Sequence, residues 1–330
     1  MTFLRIAALL LLAMIGASAV VTWVAVSPGP SLPRDGATVV IREGDGVAEI
    51  ARRLEAAGLV RSTLLFRVQA RLTGHDRTIQ PGRYRFETAA TAHEILRRLA
   101  TGVAPIEVTI PEGFTVREIA TLVAARGLGS TDTLLCLADD PEFLVAAGVL
   151  GPQLEGYLFP DTYRFAPGTD AGEVLATMVR RFHERFDADR HRRASARGLT
   201  VNQVLTLASI IEKETGKPEE RPLIAAVFAN RLRIGMPLQS DPTVIYGLPA
   251  FDGDLTRADL AYPSPYNTYV VGGLPPGPIA NPGLAAIDAA LAPADSSALY
   301  FVSRNDGSHA FSSTLAEHNR AVGRYQRGAH

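Results

Sequence analysis

One short pattern occurs twice in this chain, and it limits the available folds more than any other feature. Ile41, Glu43, Gly44, Val47, Glu49, Ile50, Ala51, Gly58 and Leu59 recur at a constant offset as Ile110, Glu112, Gly113, Val116, Glu118, Ile119, Ala120, Gly127 and Leu128. In the first copy, Thr38-Val-Val-Ile41 reads as a short strand and Gly44 to Gly46 as a turn. Val47, Ile50, Ala51 and Leu54 then share one face of a helix. Two strand-turn-helix units therefore impose a mixed α+β class. Between them Gly82-Arg-Tyr-Arg-Phe86 alternates as a strand does, and Ala92 to Ala100 sets Ile95, Leu96 and Leu99 on a helical face. The first copy with this segment predicts a small β-α-β-α module over residues 37–107, and the second copy opens a larger mixed α+β domain over 108–330.

Ahead of both lies a stretch that belongs to neither. Ile6 to Val26 is uncharged and almost wholly apolar, long enough as a helix to cross a hydrocarbon core of roughly 30 Å. Arg5 and the amino terminus precede it, which favours a cytoplasmic N-terminus and export of the rest. Ala17-Ser-Ala19 resembles a signal-peptide cleavage site, but Val20, Val21, Trp23, Val24 and Val26 prolong the apolar run beyond it, so a retained transmembrane anchor is expected. Residues 1–27 then form a cytoplasmic tip and anchor, and the Pro/Gly-rich stretch through residues 28–36 an extended linker.

Composition narrows the function classes. A net charge of −1 lacks the basic excess of a phosphate-tracking surface, so nucleic acid is not an expected partner. Cys136 is the sole cysteine, which excludes an intrachain disulfide and a cysteine-cluster metal site. Lys213 and Lys217 are the only lysines among 33 basic residues. Either an arginine-biased composition left two survivors, or this segment needs an ammonium where a guanidinium will not serve.

Beyond residue 130 the pattern turns helical, with Ala171 to Ala196 placing Val174, Leu175, Met178, Val179, Phe182 and Phe186 on one stripe. His183 and His191 lie on this arginine-rich segment without metal-ligand spacing and read as solvated face residues. After residue 235, short apolar pieces between Gly/Pro turns suggest strands and long shaped loops.

The best bounded helix runs from about Val201 to Thr215. Thr200 and Gln203 have capping-box spacing, and Gly216-Lys-Pro218 supplies a stop. On a helical wheel Asn202, Thr206, Ser209 and Lys213 cluster on one side, with Val204, Leu205, Leu207, Ala208 and Ile211 opposite. Glu212 and Glu214 fall on the two borders of the apolar stripe. A carboxyl at such a border, against apolar neighbours, is disfavoured as an anion, and its pKa can rise towards the ~6–7 that suits a general acid. The wheel does not choose between the two glutamates, and on sequence physics alone a partly exposed glutamate in a helix-end salt bridge is the plainer reading.

The string Leu207-Ala-Ser-Ile-Ile-Glu-Lys-Glu-Thr215 resembles a motif of the YceG-like endolytic murein transglycosylase family. Five further motifs follow it: Val227-Phe-Ala-Asn-Arg-Leu232, Leu238-Gln-Ser-Asp-Pro-Thr-Val-Ile-Tyr-Gly247, Tyr266-Asn-Thr-Tyr269, Gly273-Leu-Pro-Pro-Gly-Pro-Ile-Ala-Asn-Pro-Gly283 and Glu317-His-Asn319. Upstream, Leu154-Glu-Gly-Tyr-Leu-Phe-Pro-Asp-Thr-Tyr163 fits as well. The resemblance implies that Glu212 is catalytic and that no metal or organic cofactor is used. It also implies cleavage of nascent peptidoglycan glycan strands between N-acetylmuramic acid and N-acetylglucosamine, leaving 1,6-anhydro ends. One carboxyl would suffice, as acid towards the leaving oxygen and then as base towards the muramic C6 hydroxyl. The 37–107 module is similar in pattern to LysM-type modules that bind cell-wall glycans, with a plain positioning domain as the alternative. The expected setting is a bacterial inner membrane, crossed once by residues 6–26, with the catalytic region in the periplasm and penicillin-binding-protein wall synthases as candidate partners.

For substrate binding the candidates are Glu155, Tyr157, Gln239, Asp241, Tyr266, Asn267 and Tyr269. Each has a structural alternative: a turn opener at Asp241, a loop staple at Glu155 and Tyr157, a tyrosine-rich core edge at Tyr266 to Tyr269. Asn230 and Arg231 are expected to brace the Glu212 helix. Two rival functions are a muramidase, which would need a second carboxylate from Asp241, Glu155 or Glu214, and a non-catalytic peptidoglycan-binding scaffold.

Overall fold

Period-2 patterning just after the linker produces strand β1 (Ala37–Ile41), which pairs antiparallel with β2 (Gly82–Phe86), from Ala37 opposite Phe86 to Ile41 opposite Gly82. The computed structural model describes residues 36–42 and 44–326; Glu43, the apolar stretch 6–26 and nearly all of the linker lie outside it. Among the described residues no helix is long and apolar enough to cross a membrane.

Contacts divide the chain into two units. The first comprises residues up to Ile106 with Arg164–Gly168. Its two strands alternate buried and exposed residues, so Val39, Tyr84 and Phe86 enter one core with residues of α1 (Val47–Ala56), α2 (Thr63–Leu72) and α3 (Ala92–Thr101). Ile50, Leu54, Phe66, Ile95, Leu96 and Leu99 are almost wholly enclosed there, each contributing about 1.5–3 kcal/mol by leaving water. The order is β-α-α-β-α rather than β-α-β-α. Helix α2 escapes a periodicity reading because Phe66 and Ala70 are buried while Leu64, Val68 and Leu72 are exposed, which puts apolar residues on both faces.

The second unit comprises Glu107–Tyr163 and Thr169–His330. The second copy of the repeat forms β3 (Ile106–Thr109) and α4 (Val116–Ala125), the helix started by a capping box between Thr115 and Glu118. After α5 (Thr131–Ala138) and α6 (Pro141–Ala146) comes β4 (Thr162–Phe165), beside β3. Here Ile110 N–H donates to the Asp161 carbonyl at 2.9 Å. The apolar stripe expected to be one helix from Ala171 to Ala196 is two: α7 (Ala171–Arg185) ends at a non-helical Phe186, and the Asp187 side chain caps α8 (Ala188–Ala196) by accepting from Arg190 N–H. The stripe is continuous in sequence because Phe186 is buried at the corner.

Helix α9 (Val201–Glu214) has the predicted capping box at Thr200 and Gln203, and every residue from Val204 to Ile211 is buried. It packs against α10 (Arg221–Arg233) and, after α11 (Asp241–Gly247) and α12 (Arg257–Leu260), against α13 (Leu284–Leu291). The middle of its polar stripe, Thr206 and Ser209, is therefore not a solvent face. Thr206 donates to the Asn202 carbonyl at 2.7 Å and Ser209 to the Thr206 carbonyl at 2.8 Å, while Ile279 N–H donates to Ser209 Oγ at 3.0 Å. The Gly/Pro-rich strap ending at Gly283 covers these hydroxyls. It also passes so close to Gly156, whose φ is +89°, that a Cβ there would lie 2.5 Å from Pro278 Cγ.

Past residue 235 the expected strands are mostly short helices, because Pro242 in the first turn of α11 and Gly283 as cap of α13 start helices too short to display a 3.6-residue period. Among the described residues of this region, strands appear only as the hairpin β5 (Tyr300–Ser303) and β6 (His309–Ser312), before α14 (Leu315–Tyr325). Asn230 and Arg231 hydrogen-bond towards the approach to that hairpin, Asn230 Nδ2 donating to the Ser296 and Ala298 carbonyls and Arg231 to those of Leu299 and Leu238, while the Arg231 charge also acts on Glu214 of α9. The described residues thus hold fourteen α-helices and three two-stranded sheets, a mixed α+β architecture.

Candidate active site

Glu212 stands in the last turn of α9, and the chain then reverses through Gly216-Lys-Pro218 and a single 3-10 turn (Pro218–Glu220) into α10. That tight reversal brings Arg221, first residue of α10, back onto it. Arg221 Nη2 donates to Glu212 Oε1 at 2.7 Å, with the two side chains only 8% and 6% exposed. The other oxygen, Oε2, accepts from Gly283 N–H at 2.9 Å. Gly283 caps α13, so the positive end of that helix faces the carboxylate as well. The wheel predicted apolar surroundings for Glu212; burial is found, but with a guanidinium and an N–H that both favour negative charge.

A second carboxyl shares this place. Glu112, from the turn after β3, has Oε2 3.7 Å from the same Arg221 Nη2, and its side chain is half exposed. Burial raises its pKa above the ordinary carboxylate value and the charge of Glu212 adds to this, while Arg221 opposes it. Gly283 makes room for it: a Cβ at 283 would lie 1.9 Å from Glu112 Oε1. The turn that presents Glu112 is pinned by Gly113 N–H donating to the Asn281 carbonyl at 2.9 Å and by Lys213 Nζ donating to the Gly113 carbonyl at 3.3 Å. Arg221 Nε is buried without a hydrogen-bond partner among the described residues. Glu220, immediately before Arg221, accepts from His309 N–H at 2.9 Å and lies 2.7 Å from His309 Nδ1, which ties the start of α10 to β6.

Around Glu155 a second polar cluster forms. Its carboxylate accepts from Val116 N–H at 3.0 Å, Asn281 Nδ2 at 2.8 Å and the Tyr246 hydroxyl at 3.3 Å. Burial pushes its pKa up to about 8 against these hydrogen bonds. Gln153 Nε2 donates to the Tyr266 hydroxyl at 3.0 Å, and Gln153, Glu155 and Tyr246 line a cleft of about 840 Å³ together with Arg117, Asp139 and Leu248. Asn281 links this cluster to the first, since its Nδ2 also donates to the Phe114 carbonyl at 2.9 Å, two residues beyond Glu112.

The third cluster is on the other border of α9. Glu214 accepts a hydrogen bond from Ser240 Oγ, and burial pushes its pKa up to about 7. Next to Ser240, Asp241 accepts from the Tyr269 hydroxyl at 2.6 Å. Gln239 is exposed, with a left-handed φ of 49°. Tyr157 belongs to none of the three clusters, and Asn267 meets the third only through the Tyr269 backbone. Tyr157 is fully buried with its ring edge on Phe182. Asn267 is fully buried, donating to the Leu260 and Tyr262 carbonyls and accepting from Tyr269 N–H.

Sequence reasoning named Glu212 but missed Glu112, Arg221 and Gly283. Glu112 carried a signal, as a member of the repeat; Arg221 is one arginine among many, and nothing local distinguishes it. Among the described residues no three His, Cys, Asp or Glu side chains converge as ligands for a metal ion.

The sequence model of the YceG-like family matches residues 39–324. An endolytic murein transglycosylase of Bacillus subtilis is 32% identical over 302 residues, covering 86% of this chain and 83% of the relative. One of Streptococcus pneumoniae is 33% identical over 322 residues, again covering 86% of this chain but only 57% of its own length. The crystal structure of a YceG-like protein from Listeria monocytogenes superposes with a TM-score of 0.61 at 33% identity, covering 87% of this chain and 99% of that one.

Proposed function

Because the chain belongs to the YceG-like family, we propose that it cleaves peptidoglycan glycan strands internally, between N-acetylmuramic acid and N-acetylglucosamine, with Glu212 as the residue that moves the proton. It is an enzyme of the lytic transglycosylase class, as its relatives are named. The observation that supports Glu212 is its setting: a carboxyl buried at the end of the central helix, held at both oxygens by Arg221 and Gly283. A carboxylate fixed in this way keeps one orientation throughout a reaction in which it must meet two different oxygens.

Glu212, protonated, gives its proton to the glycosidic oxygen as the bond to C1 breaks. As carboxylate it then takes the proton of the muramic C6 hydroxyl while O6 closes on C1, giving a 1,6-anhydro end. General acid-base help of this kind contributes roughly 10²–10⁴ in rate; electrostatic stabilisation of the oxocarbenium-like state supplies much of the rest. In this reading the Glu155 cleft, with Tyr246 and Tyr266, holds part of the glycan, as do Gln239, Asp241 and Tyr269 at the far border of α9. Tyr157 and Asn267 support the walls. The unit built on β1 and β2 acts as a LysM-like glycan-binding module over 37–107, residues 6–26 anchor the chain once in the inner membrane, and the catalytic domain over 108–330 works in the periplasm beside penicillin-binding-protein wall synthases. No cofactor enters the scheme.

Incubating the chain from residue 36 onward with purified glycan strands, and weighing the products by mass spectrometry, tests the reading. Anhydro ends are expected from wild type and none from Glu212→Gln. Reducing ends would replace transglycosylation by hydrolysis, and unchanged cleavage by Glu212→Gln would remove Glu212 from the chemistry.

A further inference from the structure

The Glu212 site contains a second carboxyl that a one-glutamate scheme leaves idle. Glu112 and Glu212 both lie within reach of one guanidinium nitrogen, at 3.7 Å and 2.7 Å. They are not equivalent. Glu212 is enclosed, in direct contact with Arg221 and with Gly283 N–H; Glu112 is half exposed, stands farther from Arg221, and lies over the bare Cα of Gly283. Two carboxylates beside one cation leave a net negative charge, and such a pair relieves its repulsion by holding one proton between its members. We propose that Glu112 is the proton-holding partner of Glu212, a catalytic relay residue that this chain uses in addition to the acid-base glutamate. The proposal rests on the assignment of Glu212 made above.

In the resting pair the contacts decide who carries the proton. Both Glu212 oxygens accept hydrogen bonds, from Arg221 and Gly283 N–H, so the resting proton is assigned to Glu112, which stands farther from Arg221 and whose carboxyl is raised by burial and by Glu212. The charged groups facing Glu112 are Arg221 from α10 and Glu212 from α9; Lys213 Nζ is committed to the Gly113 carbonyl beside it, and α13 presents only the uncharged Gly283. On reaction the Glu112 proton passes to Glu212, which gives it to the glycosidic oxygen as the C1–O bond breaks and its electron pair leaves with that oxygen. Both carboxylates are then anionic while C1 is cationic, so the charge freed on Glu112 stabilises the oxocarbenium-like state. Glu212 next takes the C6 hydroxyl proton as O6 bonds to C1, and returns it to Glu112. No proton or other reactant is consumed beyond the glycan itself.

Steady-state cleavage of purified glycan strands across pH 4 to 9, by wild type, Glu112→Gln, Glu112→Asp, Gly283→Ala and Glu212→Gln, tests the relay. Glu112→Gln should lower kcat by about 10²-fold with a smaller change in KM, and should shift the basic limb of the pH profile to lower pH. Glu112→Asp should recover part of the rate. Gly283→Ala, whose backbone φ of −75° suits alanine, should reproduce Glu112→Gln because the new methyl displaces the Glu112 carboxyl; a melting curve like that of wild type shows that the fold is intact. Wild-type kcat and pH profile in Glu112→Gln, with Glu212→Gln inactive, would overturn the relay and leave the Glu212 assignment standing. Full activity of Glu212→Gln would instead overturn that assignment.

Discussion

Arg221 concentrates the energetic risk of the site in one side chain. It is buried, paired directly with a buried carboxylate, and its Nε has no partner among the described residues. Removing one member of such a pair leaves the other charge buried and uncompensated, which typically costs about 3–5 kcal/mol. Arg221→Ala should therefore lower the unfolding free energy read from urea melts by an amount in that range and abolish cleavage. Glu212→Gln also removes one charge of the pair, but it keeps a side-chain oxygen for Gly283 N–H and leaves Glu112 beside Arg221, so its loss of stability should be smaller than that of Arg221→Ala while activity is lost. Arg221→Lys separates charge from geometry: an ammonium supplies the charge but not the planar fork. Its expected outcome is near-native stability with a reduced kcat, and full retention of kcat would mean that charge alone is enough.

Among the elements, α4 and the strap before α13 are joined through small, specific contacts to Glu155. Glu155 receives the first N–H of α4 and the amide of Asn281, yet burial raises its pKa from an ordinary 4.5 to about 8. A carboxyl whose pKa is raised on folding binds its proton more tightly in the native state. Its contribution is complete below the unfolded value and is lost as pH rises through the folded one. Stability should therefore fall between about pH 4.5 and 8, by about 1.4 kcal/mol per unit for a single group, with Glu214 adding to the slope up to about pH 7. Glu155→Gln should flatten the dependence of melting temperature on pH; an unchanged slope would show that Glu155 is charged in the folded protein. Gly156→Ala tests the strap itself, since its Cβ would meet Pro278 at 2.5 Å from a left-handed backbone. A loss of about 1–3 kcal/mol, read from urea melts, is expected.

For the whole molecule the decisive question is attachment. The apolar run from Ile6 to Val26 predicts that the full chain sediments with membranes and resists extraction by carbonate, whereas a chain beginning at residue 36 stays in solution. Release of a chain starting after Ala19 would establish signal cleavage instead. In the second unit, long-range contacts bring the turn after β3, the C-terminal end of α9 and the starts of α10 and α13 to one point, so the repeat's second copy serves the site while its first copy serves another core.

By itself the sequence determined the elements that announce themselves locally: both copies of the strand-turn-helix unit, the capped helix carrying Glu212, and an ordered set of motifs that identifies the family. Periodicity and caps act over a few residues, so they are legible in a linear string. The same locality explains the failures at α2, at the break between α7 and α8, and in the short helices past residue 235. Only the tertiary structure decided what surrounds Glu212. Its partners come from 9 and 71 positions away, and the carboxyl of Glu112 is admitted because Gly283 has no side chain to exclude it. Charge pairing and steric room depend on separation in space, which a helical wheel does not contain.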